Sequence, residues 1–66
     1  MSNLAEGYPK EQARCRELLE AYKSIGTAGA FAHMIISDVL RRADKAAAEQ
    51  DLAAMIRVYK EMKECQ

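Results

Sequence analysis

The sequence predicts an all-α protein, on three observations. Ala, Leu, Glu, Lys, Arg and Met, the residues that enter a helix at least cost, dominate the 66-residue chain. Its breakers are few, one Pro and three Gly, and the last two glycines fall together in Ser24-Ile25-Gly26-Thr27-Ala28-Gly29-Ala30-Phe31. Elsewhere apolar residues recur at three- and four-residue steps, the period of a helix that buries one face.

Met1 to Gly7 reads as a flexible N-terminal tail, leaving residues 8–66 as a single helical domain. Tyr8-Pro9 marks the start of the first helix, because proline fits the first helical position, where its missing N–H is not needed. Cys15, Leu18, Leu19, Tyr22 and Ile25 then form a stripe, with Arg14, Arg16, Glu17, Glu20 and Lys23 on the other faces. Gly26 ends this helix near residue 24, as the glycine that follows a last turn. Thr27 suits the N-cap of a second helix, its hydroxyl placed to accept an early backbone N–H.

The second helix runs to about residue 48. One side carries Ala28, Phe31, Ala32, Ile35, Val39, Ala43 and Ala46, and another Met34, Ile36, Leu40 and Ala47. After the short connection Glu49-Gln50, Asp51 is the expected N-cap of a third helix. Leu52, Met55, Ile56, Tyr59 and Met62 form its stripe, with Arg57–Glu61 and Lys60–Glu64 as i,i+4 ion pairs outside. The expected architecture is a helical hairpin with a short third helix. Whether the first two helices are separate or one kinked helix stays open at this point.

The N-terminal half of the second helix is apolar almost all round, the mark of a helix buried on several sides. A chain this short buries only about 60% of the surface its unfolded form exposes. Self-association is therefore expected, as a homodimer or higher oligomer, with Phe31, Met34, Ile35, Val39 and Gly29 at the interface. Gly26 and Gly29, with the alanines around them, offer close backbone approach to another helix, of the same chain or of a partner, with a simple helix cap and an anion site at the helix N-terminus as the alternatives.

Charge argues against other classes. Lys plus Arg equals Asp plus Glu, ten of each, and the balance also holds within residues 1–26, 27–50 and 51–66. Nucleic-acid binding rests on a basic footprint that neutralises phosphates, and none is present. The basic cluster Arg41-Arg42-Lys45 is bracketed by Asp38, Asp44 and Glu49 and reads as a solvated, salt-bridged face. A helix–turn–helix is open to a further objection: the first turns of the second helix carry Ala, Gly, Phe and Met, which do not read base edges. No apolar run reaches the eighteen or more residues of a membrane-spanning helix. The N-terminus lacks the pattern of a signal peptide. A cytoplasmic protein is expected, with no membrane partner and with Cys15 and Cys65 as free thiols.

His33 stands alone, and the two cysteines have no paired spacing, so neither a metal site nor a Cys–His nucleophile is expected. No catalytic residue and no cofactor is assigned. Met34, Met55 and Met62 with Tyr22, Phe31 and Tyr59 form either ordinary core or an adaptable groove, since Met side chains repack readily. Gly26, Thr27, Arg41, Arg42 and Tyr59 are the candidate contacts to a ligand or partner.

Residues from about Leu18 to Cys65 resemble small accessory, moron-type proteins of Mu-like temperate phages and prophages of Gram-negative bacteria. The likeness lies in Ala21-Tyr22-Lys23-Ser24-Ile25-Gly26, Gly29-Ala30-Phe31, Met34-Ile35, Asp51 to Met55, and Tyr59-Lys60-Glu61-Met62-Lys63. It implies a stoichiometric modulator or inhibitor of a host or defence protein, and brings no catalytic residue with it. The functional expectation is a non-enzymatic protein-interaction module. Two alternatives stand beside it: an oligomeric sponge for a nucleotide-type ligand, and a small DNA-binding regulator.

Overall fold

The computed structural model describes residues 3–66. Three α-helices follow one another: α1 (Leu4–Ser24), α2 (Ala30–Ala48) and α3 (Leu52–Glu64), with one 3-10 turn, Gly26–Gly29, between α1 and α2. Helix accounts for 89% of the structure, and no strand occurs among the described residues. The fold is all-α, and α1 and α2 are separate helices.

The first helix starts earlier than Pro9 suggests. The Asn3 side chain accepts the Glu6 amide at 2.9 Å, and the Gly7 amide reaches the Asn3 carbonyl at 2.7 Å. That N-cap initiates the helix ahead of the proline, which sits inside it. Pro9 leaves the carbonyl one turn back without its usual donor, and that carbonyl belongs to exposed Ala5. Of the expected tail, Met1 and Ser2 lie outside the described residues, and Leu4 to Gly7 is helix. Burial of Tyr8 holds this extra turn in place. Its ring stacks on Tyr59 with centroids 6.3 Å apart, and its hydroxyl donates to the Ala43 carbonyl at 2.6 Å. Desolvation, with Asp44 nearby, raises the Tyr8 pKa above its ordinary value.

At the other end of α1, Gly26 has φ +67°, the left-handed conformation that glycine adopts without strain. Thr27 is not the N-cap of α2. The chain enters α2 from the 3-10 turn through Gly29, and no side chain caps that end. The connection to α3 matches its expectation. The Gln50 and Asp51 amides return to the Ala47 and Ala46 carbonyls at 3.1 and 3.0 Å, closing α2 with a Schellman motif. Asp51 then accepts the Ala54 amide at 3.2 Å as N-cap of α3.

The core is built from Tyr8, Cys15, Ile36, Val39, Leu40, Ala43, Val58, Met62 and Cys65. In α2 the buried stripe takes residues from both expected sides and begins at Ile36. In α3 it runs through Val58 and Met62 to Cys65, just past the helix end, while Leu52 and Ile56 of the expected stripe are exposed. Arg14 ties α1 to the end of α3. Its guanidinium donates to the Cys65 and Met62 carbonyls at 2.7 and 2.5 Å, and to Glu11 at 2.8 Å. A cation at the carbonyls of a helix's C-terminal end is favoured by the helix dipole.

Candidate functional site

The first half of α2 extends its apolar residues beyond what α1 and α3 cover. Phe31 is 71% exposed, Met34 59% and Ile35 44%, and they share one side of the helix at three- and four-residue spacing. Ile25, at the end of α1, is also exposed. Beside this ridge, α2 and the last turn of α3 enclose a groove of about 380 Å³. Phe31, Ile35 and Val39 line it from α2, and Glu61, Glu64, Cys65 and Gln66 from the α3 side. A second hollow on the outer flank is shared by Met34, Ile35, Asp38, Val39, Arg42 and Glu61. Ile35 and Val39 belong to both, so the ridge stands between two depressions.

Its far end is closed by a charged network. Arg42 binds Glu61 of α3 through two bonds of 2.8 Å each, and Asp38 at 2.9 Å, while Arg41 reaches Asp38 at 2.7 Å. The expected Arg41-Arg42 face is thus salt-bridged, but Glu61 pairs with Arg42 across helices rather than with Arg57 along its own. Hydrogen bonds from Arg41 and then Arg42 hold the Asp38 carboxyl below its ordinary pKa, and a bond from Arg42 does the same to Glu61. Arg42 is correspondingly raised, mainly by Glu61. A carboxyl depressed in the native state adds stability above its ordinary pKa, and that stability is lost as pH falls through the folded value. Glu61→Gln is expected to cost less than about 1 kcal/mol near neutrality, since the pair is solvent-screened. It also makes the decline toward acid shallower than in the wild type. Thermal unfolding midpoints taken from neutral pH to about pH 2 read this directly. Parallel curves for the two proteins contradict the assignment.

The remaining candidate residues divide between roles. Val39 is core and floors the groove, so it presents no free interface surface. Gly29 is also buried, against α1 within the same chain. A Cβ there would lie 2.4 Å from the Tyr22 carbonyl oxygen. The close backbone approach expected of it is made within the chain, to α1, rather than at the oligomer interface. Thr27 is exposed, and Gly26 lines a separate hollow with Tyr22, Lys23, Ala30 and His33. Within one chain that hollow contains neither Arg41 nor Arg42, so the candidate ligand contacts do not assemble into one site. Tyr59 lies elsewhere, half-buried between Tyr8 and Lys63, whose Nζ is 5.2 Å from the ring centroid. Gly7 packs against the same ring.

Sequence reasoning missed Tyr8, Arg14, Val58 and the Arg42–Glu61 bridge. Val58 had a legible signal, the three- and four-residue spacing of Val58, Met62 and Cys65. The two arginine contacts join residues far apart in the chain and leave no local trace. No group of three or more His, Cys, Asp or Glu side chains able to hold a metal occurs among the described residues. No helix of the described residues is long and apolar enough to cross a membrane. Comparison with protein families, curated proteins and solved structures finds no match for this chain.

Proposed function

We propose that this chain is a non-enzymatic protein-interaction module that pairs with a second copy of itself and acts by stoichiometric binding. The observation that carries the reading is the Phe31, Met34 and Ile35 ridge. Three large apolar side chains stand exposed side by side on the first turns of α2, next to an apolar groove. Clustered apolar exposure of this kind marks interaction surfaces. The rim favours a second copy as occupant. It carries both signs, Arg41 and Arg42 beside Asp38 and Glu61, and the whole chain is neutral. A two-fold contact sets the same patch against itself, and a mixed-sign rim is self-complementary there where a single-sign rim repels.

In such a pair the helical hairpin of α1 and α2, with α3 beside it, turns its other end outward. That end has an apolar hollow of about 480 Å³ lined by Leu4, Tyr8, Pro9, Leu52 and Met55. It is the face we assign to a protein target. A phage or prophage origin, with a host or defence protein as that target and inhibition as the outcome, is supported by the sequence resemblance alone.

Light scattering on the purified chain tests the pairing. The wild type is expected at twice the chain mass. Ile35→Asp is expected at the single-chain mass with unchanged helical circular dichroism, because Ile35 lies outside the core and its carboxylate stays hydrated in the monomer. Leu52→Asp, at the opposite end, leaves the mass doubled. A wild-type protein that stays single at the highest workable concentration overturns the proposal.

A further inference from the structure

Two buried thiols are left unused by the reading above. Cys15 is fully buried in α1 and Cys65 nearly so at the end of α3, and neither is in a disulfide. They belong to one core cluster and converge on one atom. The Cys15 Sγ is 3.6 Å from the Met62 carbonyl oxygen, and the Cys65 backbone amide donates to that same oxygen at 3.1 Å. Arg14, the residue before Cys15, holds the Cys65 carbonyl at 2.7 Å. The two cysteines are thus neighbours in space on facing elements, fixed by bonds on either side.

Their surroundings differ in a way that orders the chemistry. Burial pushes the Cys15 thiol up to about 11, with the Cys65 thiol beside it adding to the rise. Cys15 therefore has little thiolate and no access to solvent. Cys65 lines the open groove and sits just past α3 in extended backbone, with φ −69° and ψ 130°. The end of a helix opens more readily than its middle.

We propose that Cys15 and Cys65 are a redox pair that closes a disulfide between α1 and the end of α3 by exchange with a low-molecular-weight disulfide such as oxidised glutathione. The Cys65 thiolate attacks one sulfur of the oxidant, forming a mixed disulfide and expelling one glutathione thiolate. The Cys15 sulfur then attacks the Cys65 sulfur, giving up its proton to the departing second glutathione thiolate. Two protein thiols are oxidised, the oxidant is reduced to two glutathione thiols, and the protons lost by the cysteines end on those thiols. The bond ties the Glu64–Gln66 wall of the groove to α1. The pairing of the cysteines does not rest on self-association, since both thiols belong to one chain.

The test incubates the full chain with oxidised glutathione, blocks remaining thiols with an alkylating agent and measures intact mass. The wild type is expected to lose two hydrogens and take up neither glutathione nor alkylating agent. A tryptic map then shows the Cys15 and Cys65 peptides joined. Cys15→Ala is expected to stop at the mixed disulfide on Cys65, and Cys65→Ala to remain largely unmodified. Stable glutathione adducts on the wild type, a bond between two chains, or thiols still free at every oxidant ratio overturn the proposal. The wild-type mass and map need no variant, so a misfolded Cys15→Ala leaves the test intact. Repeating the exchange with Ile35→Asp separates the two proposals. A disulfide there, alongside a wild type that never dimerises, refutes the self-association alone.

Discussion

Met62→Ala is expected to destabilise the native state by about 2–5 kcal/mol, the range for truncating a large side chain in a closed core. Met62 has no exposed surface. Its side chain belongs to the cluster that joins all three helices, and its carbonyl receives Arg14 and Cys15. Small domains hold roughly 0.05–0.15 kcal/mol per residue in total, so a loss of this size removes much of what a 66-residue chain has. Leu52→Ala is the matched control. Leu52 opens the stripe that periodicity assigns to α3, yet it is 60% exposed, so its truncation is expected to stay within about 0.5 kcal/mol. Urea unfolding followed by far-ultraviolet circular dichroism measures both. Equal losses at the two positions contradict the observed rotation of α3.

Gly29→Ala is expected to cost about 1–3 kcal/mol, the price of forcing extra volume into a closed contact. Its sign is informative, because Gly to Ala at a helical position without steric conflict stabilises by roughly 0.4–1 kcal/mol. Gly29 has φ −95°, a conformation that alanine accepts. The obstacle is space: the new Cβ lies 2.4 Å from the Tyr22 carbonyl and 2.8 Å from Ile25 Cγ1. Backbone cannot swing aside as a side chain does, so α1 and α2 must separate where the turn joins them. At Gly26 the balance is reversed. Nothing lies within 4 Å of its Cβ position, but φ is +67°, and alanine there is strained by about 1–2 kcal/mol. Denaturation midpoints below wild type for both variants are the expected outcome. A Gly29→Ala protein at or above wild-type stability refutes the tight α1–α2 contact.

Local chemistry made much of the fold legible. The helix formers, the left-handed Gly26, the end of α2 and the Asp51 cap all act within a turn or two of chain, where sequence patterns operate. The start of α1 was misplaced because Pro9 is a strong local signal that Asn3 and the burial of Tyr8 together override. Phe31, Met34 and Ile35 were legible as an apolar excess on α2. Val39 and Gly29, grouped with them, went to intrachain contacts once α1 and α3 were in place.

The sequence by itself determined that this chain is helical, where the second helix begins and ends to within a few residues, where the third begins, and that its charges balance along its whole length. Only the tertiary structure decided how each helix is rotated about its axis. With apolar residues on several sides of α2 and α3, periodicity allows more than one face to turn inward. The choice falls to contacts between residues distant in the chain: Tyr8 on Ala43, Arg14 on the end of α3, Arg42 on Glu61. Those contacts place Met62 and both cysteines inside and leave Phe31 outside.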